Sequence, residues 1–385
     1  MTDAITPFTI AVADEQLEDL QARLALTRWP DEVGSNWTYG TDKAFLMSLC
    51  DYWQHQYDWR RQEQRMNELD HFTTQVEGRQ LHFIHQRSPH SDAIPLVMTH
   101  GWPGSFTEFL DIIPRLTEPE KFGADPADAF HMICPSIPGF GFSAAPSEPG
   151  FDLKRVAEGH LQLMDQLGYE DFIVQGGDMG SPVSSWTAAL APERVMGLHL
   201  TLVFAGYPKH KADPMAGVSA AEQQRLSERR EYMKDGTGYQ AIQGTRPQTL
   251  GYGLNDSPVG LAAWITEKFY SWTHCQGELE QSVSKDELLN NIMIYWLTQT
   301  ITSSTRYYYE SNQSPNNLFE NGKIRVPMGS TRFPGELYQP PRAWVEEGYE
   351  VVHWTDQPRG GHFAALEEPD LLAQDIRNFC RRFRH

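Results

Sequence analysis

The sequence predicts an α/β protein: a mostly parallel central sheet, a helical block inserted into the sheet domain, and a helical arm at the N-terminus. Three observations carry this. Short apolar runs alternate with helical periodicity over residues 94–200, as parallel strands covered on both faces do. The alternation stops at about residue 203 and resumes at 323. Before residue 72 the apolar positions recur at helical spacing instead.

Leu17, Leu20 and Leu24 mark the first helix, which Trp29-Pro30 ends. Residues 43–69 read as one further helix, with Phe45, Leu46, Leu49, Tyr52, Trp53 and Tyr57 on its apolar side. Thr73–Gln86 alternates around Glu77-Gly78, a strand pair about a turn. Ile94–Thr99, His131–Cys134, Asp171–Gln175 and Val195–Leu200 are the buried strands. Helical stretches separate them: one with Phe109, Ile112 and Ile113, one from Val156 to Leu167, and Pro182–Leu190. From 203 to 322 the chain is aromatic-rich and helical, most clearly at Pro258–Tyr270 and Glu287–Tyr308. The Gly-, Ser-, Asn- and Pro-rich stretch 311–330 reads as the re-entry loop. Strands return at Lys323–Met328 and Tyr349–Trp354, and Pro369–Phe383 closes the chain as a helix. The expected division is an arm at 1–72, a core at 73–202 and 323–385, and a cap at 203–322. A block inserted after a strand's C-terminal end sits over that edge of the sheet.

The 385 residues carry a net charge of −19, which disfavours nucleic acid and anionic membranes as partners. No apolar run is long enough to span a bilayer, and the basic and apolar parts of a secretory signal are missing, so neither membrane anchor nor export is expected. Cys50, Cys134, Cys275 and Cys380 are far apart and form no CxxC, which argues against a zinc site or disulfide scaffold and for a reducing, cytoplasmic location.

The chemistry is concentrated in DFIVQGGDMGSPVSSWTAAL, residues 171–190. An apolar strand ends in Gly176-Gly177-Asp178-Met179-Gly180 and a helix follows, the strand–turn–helix context of a nucleophile elbow. The nucleophile position holds Asp178, not serine. A carboxylate attacking a carbonyl would give a reactive mixed anhydride, whereas at saturated carbon it gives an alkyl ester. An epoxide or a halide is therefore the expected electrophile. Hydrolysis of the ester needs a base, and His362 in the loop Arg359–Phe363 fits. The acid that orients it should follow a strand and precede the histidine in the chain. Glu336 does so, with Asp356 as competitor. Oxyanion donors are expected from the N–H of Met179 and from Trp102 in the loop His100–Ser105. Opening an epoxide also needs an acid over the ring oxygen. Tyr207, Tyr232, Tyr239, Tyr252, Tyr270, Tyr295 and Tyr307 to Tyr309 all lie in the inserted block.

Taken together, these segments resemble the microsomal and juvenile-hormone type of epoxide hydrolase, an α/β-hydrolase-fold family. The resemblance rests on Arg23-Leu24, Thr27–Pro30, His100–Ser105, Gly176–Ser181, Ala241–Gln243, Asn255–Gly260, Phe333–Glu336 and Gly360–Glu367, and covers nearly the whole chain. It implies Asp178 as nucleophile, Glu336 as relay acid, His362 as base, and Tyr239 and Tyr308 as ring-opening acids. Tyr307 and Tyr309 leave the register of the second tyrosine open. It implies no metal or organic cofactor, a small epoxide as substrate, and an N-terminal arm that wraps the core and braces the cap. A homodimer is left open. Mammalian microsomal members carry an N-terminal membrane anchor, which is not expected here, and Met179 stands where Trp is often found. A dehalogenase of the same fold, or a non-catalytic binding protein on it, is the alternative.

Overall fold

Nine strands form one sheet in a computed structural model that describes residues 4–34 and 36–384. They are β1 (Thr6–Phe8), β2 (His71–Val76), β3 (Arg79–Gln86), β4 (Ile94–Thr99), β5 (Phe130–Pro135), β6 (Phe172–Gly176), β7 (Val195–Leu200), β8 (Ile324–Arg332) and β9 (Tyr349–Asp356). Their spatial order is β1-β2-β3-β5-β4-β6-β7-β8-β9. The pairs from β1 to β5 are antiparallel and the remaining pairs parallel. Side chains alternate between two apolar layers: Leu96, Met98, Met132 and Ile173 enter one, Val97, Ile133, Phe172 and Val174 the other. Both faces are covered, so the central strands are apolar throughout. Each such large side chain contributes roughly 1.5–3 kcal/mol by leaving water.

The helices before the break in the sheet are α1 (Asp14–Ala25), α2 (Lys43–His55), α3 (Trp59–Met66), α4 (Ile112–Thr117), α5 (Leu153–Leu167) and α6 (Gly180–Leu190). Between β7 and β8 lie α7 (Ala220–Tyr232), α8 (Gly238–Gln243), α9 (Pro247–Leu254), α10 (Pro258–Trp272), α11 (Lys285–Thr298) and α12 (Ile301–Gln313). The chain ends with α13 (Arg342–Gly348), α14 (Ala364–Glu367) and α15 (Pro369–Cys380). The arm grips the inserted helices through side chains of α2: Tyr52 Oη donates to Asp286 at 2.8 Å and the Trp53 indole to Met293 Sδ at 3.2 Å. Just beyond α2, Tyr57 Oη donates to Asn290 at 2.7 Å. No helix among the described residues is long and apolar enough to cross a membrane.

Local geometry corrects several boundaries. The helix expected over 43–69 is two, because Gln56 closes α2 and Asp58 caps α3 by accepting from Arg61 N–H. The helix expected over 287–308 is also two. Gln299 takes a left-handed φ of 55°, which ends α11 before α12 begins at Ile301. The re-entry loop is shorter than 311–330, since α12 runs to Gln313 and β8 starts at Ile324. The three-residue edge strand β1 is too short to show a period. Helix α7 has almost no apolar face, and its sequence mark is the Ser219–Glu222 capping box.

A buried polar cluster ties the sheet to its last helix. Asp375 of α15 lies 3.1 Å from His199 Nε2 of β7 and 3.0 Å from His353 Nε2 of β9, and it accepts from the Thr331 hydroxyl of β8. Burial pushes the Asp375 carboxyl up, but hydrogen bonds from His199, His353 and Thr331 prevail and hold it well below the usual carboxylate range. A carboxyl lowered in the folded state stabilises above its unfolded pKa and loses that contribution as pH falls. Asp375→Ala is therefore expected to cost about 3 kcal/mol at pH 7. The gap from the parent in urea unfolding should shrink as pH falls below the ordinary carboxylate range. A gap that widens in acid would contradict the assignment.

Candidate active site

Topology decides where the chemistry-bearing residues meet. Strand β4 pairs with β5 on one side and β6 on the other, so the chain leaves the two central strands in opposite directions. The crevice at their C-terminal ends is the switch point at which open α/β sheets bind ligands. The loop His100–Ser105 follows β4, and Asp178 follows β6. Glu336 follows β8 and His362 follows β9, so four strand ends supply the site.

The elbow at Asp178 is tight. Asp178 has φ 46°, a left-handed conformation that a non-glycine residue adopts only under constraint. A Cβ at Gly176 would stand 2.1 Å from the Gly180 carbonyl oxygen, and one at Gly180 2.0 Å from that of Thr99. Gly101 makes room for the carboxylate itself, since a Cβ there would lie 2.2 Å from Asp178 Oδ1.

Asp178 Oδ1 accepts from the Trp102 backbone N–H at 2.8 Å. Asp178 Oδ2 is 3.3 Å from His362 Nε2, and His362 Nδ1 is 2.8 Å from Glu336 Oε1. Glu336 Oε1 also accepts from Leu337 N–H at 2.6 Å. Asp356 is turned elsewhere, accepting from Arg332 Nη2 at 2.6 Å. His362 N–H donates to the Trp272 carbonyl at 2.9 Å, and the Trp272 ring meets the imidazole edge-on at 5.0 Å. Burial alone would pull the His362 pKa down, but the Glu336 and Asp178 carboxylates raise it well above the ordinary value. Met179 directly follows Asp178 and stands at the start of α6.

The tyrosines separate by what their hydroxyls and rings touch. Tyr307 Oη donates to the Pro138 carbonyl at 2.9 Å, Tyr295 Oη to that of Gly104 at 2.7 Å, and Tyr232 Oη to that of Gly236 at 3.0 Å. Tyr207, Tyr252 and Tyr309 are exposed, and Tyr270 stacks on Trp37. Tyr239 and Tyr308 alone among them pack on the Trp102 ring, at centroid distances of 5.4 and 5.7 Å, and they meet each other at 5.7 Å. Burial pushes both phenols up, and the Asp178 charge adds to it. The side chains brought together are thus Asp178, His362, Glu336, Trp102, Tyr239 and Tyr308.

Sequence reading did not single out Asn291, whose Nδ2 donates to the Pro103 carbonyl at 2.6 Å, nor Trp272. Neither belongs to a short motif; α10 and α11 present them only after the block folds over the sheet. Among the described residues no cluster of three or more His, Cys, Asp or Glu side chains is arranged to hold a metal.

Comparison with known proteins points one way. A sequence model described as the epoxide hydrolase N terminus matches residues 5–109, and one described as the alpha/beta hydrolase fold matches residues 94–229. Epoxide hydrolase 1 of Sus scrofa is 41% identical over 405 residues, covering 98% of this chain and 88% of that protein. The crystal structure of juvenile hormone epoxide hydrolase from Bombyx mori superposes with a TM-score of 0.91 at 32% identity, covering 99% of this chain and 95% of that one. The epoxide hydrolase of Aspergillus niger superposes with a TM-score of 0.88, also at 32% identity, covering 99% and 97%.

The contacts of His362 set an expected titration. In Glu336→Gln the His362 ring, followed by NMR, should lose its proton at lower pH than in the parent. Asp356→Asn should leave it unchanged, because Asp356 is paired to Arg332. Equal effects of the two substitutions would exclude Glu336 as the orienting acid.

Proposed function

This chain belongs to the epoxide hydrolase family, and from that premise we propose how its own residues convert an epoxide and water to a vicinal diol. Membership sets aside the dehalogenase and the non-catalytic binding protein. The observation that carries the residue roles is the hydrogen bond from Trp102 N–H to Asp178 Oδ1, with His362 on the other carboxylate oxygen. One oxygen is fixed by a donor, which leaves Oδ2 as the attacking atom.

The epoxide binds between the sheet edge and the inserted helices, its oxygen under the hydroxyls of Tyr239 and Tyr308. Asp178 Oδ2 attacks a ring carbon, the carbon–oxygen bond breaks, and a tyrosine proton passes to the departing oxygen. A hydroxyalkyl ester on Asp178 results. His362, held by Glu336, takes a proton from water as its oxygen bonds to Asp178 Cγ. Charge then builds on Oδ1, where the N–H of Trp102 already points and that of Met179 is the second donor. One such donor contributes roughly 3 kcal/mol to the transition state. The tetrahedral species collapses, His362 returns its proton to the departing diol oxygen, Asp178 keeps one oxygen from water, and the water proton left on its carboxyl passes to the tyrosinate, which restores the resting site. The rings of Trp272, Tyr239 and Tyr308 around Trp102 favour an apolar or aryl epoxide. The four buried free cysteines support a reducing compartment.

Three outcomes are expected. With enzyme in excess in ¹⁸O-water, the diol of the first turnover should carry light oxygen from Asp178; solvent label in that diol would mean direct attack of water on the ring. His362→Gln should form the Asp178 ester, seen as a mass increase on that peptide, without releasing diol. Tyr308→Phe should slow ring opening on the order of 10²-fold, whereas Tyr307→Phe should lose only about 1 kcal/mol of stability through its bond to Pro138.

A further inference from the structure

A cavity of about 30 Å³ lies directly behind the nucleophile. Asp178, His362, Glu108, Gln175, Thr99 and Thr201 contribute polar groups to its wall. It shares Trp102, Asp178 and His362 with the site where Tyr239 and Tyr308 pack, but none of its lining residues comes from the inserted helices. Its size is that of one water molecule, and a polar wall with several partners is what a buried water requires. The buried Thr99 hydroxyl has no hydrogen-bond partner among the described residues.

Glu108 has no part in the cycle described above, yet its carboxylate is held there by the local backbone. It rises from the short turn Phe106–Phe109 and lies against Gly104, where a Cβ would stand 1.5 Å from Glu108 Oε1. The loop His100–Ser105 thus has two glycines that make room for two carboxylates: Gly101 for Asp178 and Gly104 for Glu108. We propose that Glu108 is the positioning residue for the hydrolytic water, holding it in this cavity between His362 and Asp178.

The proposal rests on the ester mechanism and completes its second half. A substrate joined to Asp178 Oδ2 fills the side under the tyrosines, so the attacking water must come from the opposite face of the ester. One of its hydrogens goes to His362 Nε2 as its oxygen bonds to Asp178 Cγ. The other needs an acceptor that turns the lone pair toward that carbon, and Glu108 supplies it. Burial pushes the Glu108 carboxyl up to about 8, with His362 opposing and the Asp178 charge adding to the rise. The group therefore senses the same two side chains that carry out hydrolysis. Either protonation state keeps an oxygen able to accept a hydrogen bond.

The test separates the two half-reactions. Enzyme in excess is mixed with styrene oxide, and the ester on the Asp178 peptide is followed by quenched-flow mass spectrometry. In Glu108→Leu the ester should form at the parent rate and decay about 10²-fold more slowly, so that it accumulates. Glu108→Gln, which keeps an accepting oxygen, should recover most of the decay rate. Gly104→Ala, which displaces the carboxylate without removing it, should again slow decay alone. Ester formation slowed as much as decay would reduce Glu108 to a structural part of the loop, and unchanged decay in Glu108→Leu would overturn the proposal outright. If the parent forms no ester on Asp178, the mechanism itself fails and the water seat with it.

Discussion

Asp178 is held in a left-handed turn with one carboxylate oxygen on a backbone N–H and the other on an imidazole, and the surrounding structure serves that arrangement. The turn is reachable because Gly176 and Gly180 have no Cβ; one at either position would stand about 2 Å from a backbone carbonyl oxygen. It is kept because the strands on either side are buried on both faces and cannot shift without exposing apolar surface. The local strain is thus borne by the sheet. The same carboxylate, with Glu336, keeps His362 protonated to higher pH than burial alone would allow. In the proposed cycle, consuming the Asp178 charge in an ester removes one of the two supports for that proton, which frees the imidazole to act as base in the step that follows.

The inserted helices and the arm extend this constraint outward. Asn291 and Tyr295 of α11 hold the carbonyls of Pro103 and Gly104, and so fix the loop whose Trp102 N–H meets Asp178. Helix α11 is held in turn by Tyr52, Trp53 and Tyr57 of the arm. A continuous chain of hydrogen bonds and packed rings therefore runs from the N-terminal segment to the Trp102 N–H on Asp178. Trp272 makes a second link, since its carbonyl receives the His362 N–H and its indole donates to Tyr232 Oη. The helical block is thus a set of struts for the groups beneath it, as well as the roof of the proposed substrate site.

Electrostatics at the site differ from the chain's overall acidity. His100, at the base of the oxyanion loop, is fully buried and its pKa is pushed down to about 4, so it stays neutral and its Nε2 accepts from Ile137 N–H at 3.2 Å. Asp356, which also precedes His362 in the chain, is paired with Arg332, whereas Glu336 Oε1 lies 2.8 Å from His362 Nδ1.

What the sequence determined by itself is the part written in local chemistry. The strand–Gly-Gly-Asp-Met-Gly–helix run specifies a carboxylate on an elbow, because only glycines tolerate the close contacts at its two ends. The apolar runs at β4 to β7 specify a sheet covered on both faces, because side-chain period and burial are set by the residues of each strand alone. What only the tertiary structure decided is which of several equal candidates meet. Tyr307, Tyr308 and Tyr309 are indistinguishable as a run, and the rotation of α12 sends one hydroxyl to Pro138, one ring to Trp102 and one to solvent. The breaks at Gln56–Asp58 and at Gln299 escaped the periodicity because caps and a single left-handed residue interrupt helices whose apolar faces continue across them. Glu108 and Asn291 carry no motif at all. The turn Phe106–Phe109 sets Glu108 against Gly104, but its meeting with His362 and the contact of Asn291 with Pro103 join segments far apart in the chain, and no local pattern encodes such a distance.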